Sequence, residues 1–229
     1  MAIILLIETA TDVCSVGISI NGNLISIEES FVKNAHAAQL QILVETAIKK
    51  AAITLNQINA VSISIGPGSY TGLRVGLSAA KGYCFALNIP LIAIDTLESL
   101  TYQASNLLSI KKTDYYIPLL DARRMEVYTG IWDASLNKIK EVTPVILDAF
   151  SFQDYLAKGD CIIFGSGAQK FKDICNATNL IYLQDVYASV KGMAVIAFHA
   201  FQENKFTDIA YIEPFYLKDF VGTTPKKLF

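Results

Sequence analysis

The chain has 229 residues, 52% of them hydrophobic and 17% charged, with a formal net charge of −2. That composition excludes a disordered tail, a collagen-like fibre and a charged linker, and it lacks the basic excess of a chain that binds nucleic acid unaided. No uninterrupted apolar run approaches the ~18–20 residues of a membrane span, so the apolar excess asks for a large core or a permanent protein partner.

The first residues are apolar but have no charged leader and run into Glu8, which reads as a strand and not as a signal peptide. Cys14, Cys84, Cys161 and Cys175 show no CxxC or metal-type spacing, which predicts small buried hydrophobes in a cytoplasmic compartment. Ile3–Glu8 predicts a first strand, and residues 14–20 and 24–30 a hairpin about Asn21-Gly22-Asn23. Over residues 36–52, Leu40, Leu43, Val44, Ala47, Ile48 and Ala51 recur at helical spacing, with Asn34 as the expected cap. A strand over 60–65 then ends in Gly66-Pro67-Gly68. A helix over 70–87 follows, stopped by Asn88 and Pro90. A strand over 91–94 and a helix over 96–108 close the first half.

In the second half, strands are expected over 115–120, 125–132 and 138–146. A short helix over 151–158, capped by Ser151, precedes a strand over 160–164. A Gly165-Ser166-Gly167 turn and helices over 168–177 and 193–204 complete the order. The element order repeats although the residues do not. This predicts an α/β protein of two related lobes, residues 1–110 and 111–229, with a cleft between them and the last segment packing back on the first lobe.

Three groups of residues stand out. Gly66-Pro67-Gly68-Ser69-Tyr70-Thr71-Gly72-Leu73-Arg74 is a glycine-rich link from strand to helix; it matches neither GxxxxGK[ST] nor GxGxxG. Two readings stay open for it: a backbone cradle for an anion, or a tight connection that needs glycine. The helix behind it carries a single polar stripe, Arg74, Ser78 and Lys81, with Gly72, Gly76 and Ala80 at four-residue intervals as a smooth strip suited to close helix approach. More apolar surface is present than one sheet face absorbs. Lastly, Glu8, Thr11 and Asp121 end corresponding strands of the two halves, where carboxylates and hydroxyls can hold Mg²⁺ and phosphate. Glu28 and Glu29 are expected in solvent, and His199 packed in its helix. Two histidines in different lobes make a His-rich metal site improbable.

The runs Ile4–Thr11, Cys14-Ser15-Val16, His36, Ser64–Gly76, Asp121–Tyr128 and Pro214–Lys218 resemble the bacterial TsaB (YeaZ) family over essentially the whole chain. The resemblance implies the duplicated actin-like, ribonuclease-H-like fold. It also implies a non-catalytic subunit that works with its paralogue TsaD and the ATPase TsaE to place threonylcarbamoyl on N6 of the adenosine beside the anticodon, in tRNAs reading codons that begin with adenine. TsaD-type members carry a metal-binding HxxxH where this chain has Thr96 and Leu100, neither a good ligand. No intrinsic cofactor or metal is therefore expected, with ATP or ADP and Mg²⁺ only at the junction of a complex, and tRNA met only through that complex. Family dimers form through the first two helices. On that basis the partner surface, for TsaD or for a second copy when the chain is alone, is expected at His36, Leu40, Leu43, Val44, Ala47, Tyr70, Leu73, Arg74, Gly76, Leu77 and Ala80. The alternative is an independent actin-like ATPase or phosphotransferase that uses Glu8, Thr11, Asp121, Gly165 and Gly167 around a nucleotide. Its weakness is a first loop, Ala10-Thr11-Asp12-Val13, without glycine. Lys218, Lys226 and Lys227 give the C-terminus a mild basic bias, read as solvated.

Overall fold

The structure, a computed structural model, describes residues 1–107 and 113–217. The expected lobe boundary near 108–112 and the three C-terminal lysines fall outside the described residues.

Two mixed sheets dominate. The first has the order β3-β2-β1-β4-β5, from β1 (Ile3–Glu8), β2 (Cys14–Ile20), β3 (Asn23–Ser30), β4 (Ala60–Gly66) and β5 (Leu91–Asp95). β1 pairs antiparallel to β2 through Asn21-Gly22, both at positive φ, and parallel to β4. β1 is buried along its whole length. Its near-continuous apolar run reflects a strand covered on both faces. Ile3, Leu5 and Ile7 meet α1 (His36–Lys50) and α2 (Tyr70–Leu87), whereas Ile4 and Leu6 meet α6 (Ala194–Gln202) and the short helical turn Val190–Gly192.

The second sheet has the order β11-β10-β6-β8-β7 with β9 paired to β8; its strands are β6 (Tyr115–Pro118), β7 (Leu120–Asp121), β8 (Glu126–Asp133), β9 (Lys138–Ile146), β10 (Cys161–Phe164) and β11 (Leu180–Tyr182). On one face lies α3 (Thr96–Leu107), whose Leu97, Leu100 and Ala104 pack with Trp132, Ile162 and Phe164. On the other lie α4 (Gln153–Leu156) and α5 (Ala168–Lys172), closed by Phe152 and Phe171 edge-on at 5.1 Å. Leu183 and Val186 still pack with the second sheet; from Val190 the chain returns to the first, where Thr207 bridges Leu91 and α6 covers β1 and β5.

Several local expectations are corrected. Asn34 sits at φ 57° and does not cap α1, whose N-cap is Ala35. Ser151 caps nothing either; its hydroxyl is engaged with Asp148, and α4 starts two residues later from Phe152 at φ 64°. The strand expected over 115–120 breaks at Leu119, whose N–H turns to the Phe164 carbonyl. β11 was not legible as a strand, being three half-buried residues. No helix of the described residues is long and apolar enough to cross a membrane.

Candidate functional site

The glycine-rich link is built by backbone against backbone. Ser69 caps α2 by accepting the Gly72 N–H at 3.3 Å, and its own N–H reaches the Ala10 carbonyl at 2.6 Å. A Cβ on Gly68 would lie 2.3 Å from the Ala10 carbonyl oxygen, one on Gly72 2.1 Å from that of Thr9, and one on Gly76 2.1 Å from Thr9 Oγ1. The small strip of α2 therefore receives the Thr9–Ala10 turn of its own lobe. It is not an outward seam for another helix, and the smooth-strip reading is corrected accordingly.

The same inward turn corrects most of the expected partner surface. Leu40, Leu43, Val44, Ala47, Leu77 and Ala80 belong to the core beneath the first sheet; Leu73 and Gly76 are buried beside them, and His36 is buried with no partner for Nε2 among the described residues. Only Tyr70, half-buried, and Arg74, exposed, remain reachable from the folded surface. What these helices show outward is a different set, including Ile42 (57% exposed) and Phe85 (81%).

Between them run two grooves. One, of about 420 Å³, is lined by Ala37, Leu40, Gln41, Arg74, Val75, Ser78 and Ala79; the next, of about 460 Å³, by Val44, Glu45, Ile48, Lys49, Ile53, Leu55 and Tyr83. The pairing of 37–41 with 74–79 and of 44–49 with Tyr83 means that α1 and α2 run in the same direction, bridged by Tyr83 donating to Gln41. The rim of the first groove is fixed by an aromatic clasp. Arg74 lies over the Tyr70 ring at 4.0 Å and donates from Nε to the Tyr216 hydroxyl at 2.8 Å, while the two tyrosine rings lie 5.0 Å apart. Tyr216 is delivered by a strap in which the Phe215 N–H donates to the Ile65 carbonyl at 2.7 Å.

Apart from Thr11, the residues of the expected nucleotide set are engaged within their own lobes. Glu8 is fully enclosed; Oε1 accepts the Ser64 hydroxyl and the Ala10 N–H, each at 2.6 Å, and Oε2 has no partner among the described residues. Burial pushes its carboxyl up to about 7, against the pull of those hydrogen bonds. Thr11 Oγ1 is likewise buried and unpartnered. Asp121 lies on the other sheet, paired to Lys170 at 2.8 Å and accepting the Arg123 N–H. Gly165, at φ 97°, and Gly167 are packed against the Leu119 backbone, to which the Gly167 N–H donates. An enclosed acid whose ionisation burial disfavours, an aspartate already paired and a turn whose Gly167 N–H is taken up by its own sheet fit a magnesium–phosphate cradle poorly. Thr96 and Leu100 are both buried, the latter in the core of the second lobe.

Sequence reasoning missed one polar centre. Glu29, expected in solvent, accepts from Ser189 at 2.6 Å, Tyr187 at 2.9 Å, Lys191 at 3.0 Å and Ser15 at 3.1 Å. Partial burial would raise its carboxyl, but the bonds from Ser189, Lys191 and Tyr187 outweigh that and hold it below the usual range. Glu28 likewise pairs with Lys50 at 2.6 Å, and His199 is exposed where packing was expected. No local pattern marks Glu29, because three of its four partners, Tyr187, Ser189 and Lys191, come from about 160 residues away.

Comparison with known proteins adds the ancestry. The sequence pattern of the family described as TsaD, tRNA N6-adenosine threonylcarbamoyltransferase, matches residues 29–228. A protein of Escherichia coli (strain K12) named tRNA threonylcarbamoyladenosine biosynthesis protein TsaB is 27% identical over 226 residues, 96% of each chain. The chain belongs to the TsaD family, among its TsaB (YeaZ) members. A Bacillus subtilis (strain 168) protein of the same name is 26% identical over 141 residues, 62% of this chain and 59% of that one. In structure, YeaZ from Pseudomonas aeruginosa superposes with a TM-score of 0.80 at 21% identity, over 95% of this chain and 100% of that one. Component A of the (R)-2-hydroxyglutaryl-CoA dehydratase of Acidaminococcus fermentans shares the fold with a TM-score of 0.52 at 9% identity, over 90% and 100%. The fold is the duplicated actin-like, ribonuclease-H-like α/β architecture.

Proposed function

We propose that this chain takes part in forming threonylcarbamoyladenosine in tRNA as a non-catalytic subunit. It binds a TsaD-type catalytic partner through the α1–α2 face and works alongside a TsaE-type ATPase. The observation that carries the reading is the pair of grooves between two parallel helices that also expose Ile42 and Phe85. A soluble chain rarely leaves such apolar relief uncovered. The grooves sit on a chain whose relatives are named for this biosynthesis. A supporting role, and not catalysis, is favoured by residue chemistry: Thr96 and Leu100 offer no pair of metal-ligating side chains where TsaD-type members carry histidines. It is favoured also by the poor fit of Glu8, Thr11, Asp121, Gly165 and Gly167 to a nucleotide.

The test is reconstitution. Purified TsaD and TsaE are mixed with tRNA, threonine, bicarbonate and ATP and an enzyme supplying the threonylcarbamoyl adenylate, with and without this chain. Threonylcarbamoyladenosine is expected only when the chain is present. Equal modification without it, or nucleotide turnover by the isolated chain at rates that match the full mixture, overturns the reading.

A further inference from the structure

We propose that Arg74 is the ionic anchor of the α1–α2 groove, taking a carboxylate from a helix of the catalytic partner, with its aim set by the Glu213–Tyr216 strap. The inference rests on the partner-binding reading above and adds the chemistry the partner must bring.

The groove floor is small and apolar: Ala37, Leu40, Val75 and Ala79. Small side chains let a helix ridge seat closely. One cation stands on this floor's rim. Among the described residues no carboxylate lies within ion-pair distance of Arg74, while six other cation–carboxylate pairs form elsewhere. Yet Arg74 does not swing free. Its guanidinium is laid on the Tyr70 ring and tied at Nε to Tyr216, a residue 142 positions away. A guanidinium has five N–H donors, so the Nε bond leaves capacity for a carboxylate. An arginine already fixed in direction loses less freedom on docking, and its planar fork matches a carboxylate better than an ammonium does.

The complement follows. A helix that is neutral opposite Arg74 would desolvate an unpaired cation, and a basic one would repel it. The fitting occupant presents an Asp or Glu beside small or apolar side chains. Recognition at the first half then depends on a strap supplied by the last segment of the chain.

Calorimetric titration of the full chain with a purified TsaD-type partner, at low and high salt, tests this. Arg74→Glu is expected to weaken binding at least ~30-fold and to flatten its salt dependence. Arg74→Lys, which keeps the charge and loses the fork, is expected to cost ~5-fold, and Tyr216→Phe, which frees Nε, ~3-fold. Both positions are at the surface, and circular dichroism melting curves like the wild type's verify folding. Wild-type affinity and salt slope in both Arg74→Glu and Tyr216→Phe overturn the inference and leave partner binding standing. No binding by the wild-type chain overturns the partner reading itself. Self-association of the chain alone that Arg74→Glu abolishes assigns the groove to a second copy and overturns the occupant named here.

Discussion

Each half of the molecule has a strand that ends in glycine at positive φ and passes into a helix: Gly66 before α2, and Gly165 before α5. In both, the glycines that follow press against backbone of their own sheet, the Thr9–Ala10 turn in one case and Leu119 in the other. The local device is the same; the length of helix it launches is not. α2 runs 18 residues beside a 15-residue α1 and leaves relief between them, whereas α5 runs five residues and closes over Phe171. A duplicated fold can thus keep its joint in both copies and build a docking face in only one.

The largest expected effect breaks the first joint. Gly72→Ala sets a methyl 2.1 Å from the Thr9 carbonyl oxygen, and should cost about 3 kcal/mol or more in urea unfolding, because a backbone must move. Gly167→Ala, whose nearest atom is a Val127 methyl at 2.7 Å, should cost about 1 kcal/mol. Equal costs would mean that the two joints are alike in energy as well as in form.

Glu8, which braces the first joint through Ala10 and Ser64, gives the second test. Its carboxyl sits at about 7 when folded against an ordinary value of 4.5. The folded state therefore holds a proton that the unfolded chain has released between those values. The contribution of Glu8 to stability is full below pH 4.5 and is lost as pH rises through about 7, by about 3 kcal/mol in all. Glu8→Gln should flatten that slope and raise the urea midpoint at pH 8; an unchanged profile would remove Glu8 as its source.

Smaller still, Glu29→Ala should destabilise by about 2 kcal/mol, since Tyr187, Ser189 and Lys191 lose a common acceptor. Hydrogen exchange should quicken in segment 187–192 before it quickens in the second sheet. At the foot of the scale, Gly82→Ala should stabilise by about 0.5 kcal/mol in thermal melting: no atom lies within 4 Å of the added methyl, and alanine is the better helix former.

What could be read from the letters follows the range of the forces involved. α2 is found with the expected ends, Tyr70–Leu87, because helical spacing and the left-handed Asn88 stop are local signals. α1 is found equally well except for its cap, since Asn34 serves the preceding turn instead. The face these helices present was misread for a physical reason. Gly72, Gly76 and Ala80 make a strip that fits a neighbouring helix and a neighbouring turn equally well, and only the position of Thr9 decides between them. The arginine at the groove is visible in the sequence; the tyrosine that aims it, 142 residues later, carries no mark of that task. The same holds for Glu29, whose acidic neighbourhood on an edge strand reads as solvated until a distant segment lies across it.

α3 faces the second sheet with Leu97, Leu100 and Ala104, while Ser99 receives Gly192 from the turn that leads back to the first. It is a party wall: neither half owns it, and cutting the chain on either side would strip one house of its wall. The two halves should therefore melt together, in a single calorimetric transition, and neither should be obtainable as a soluble fragment.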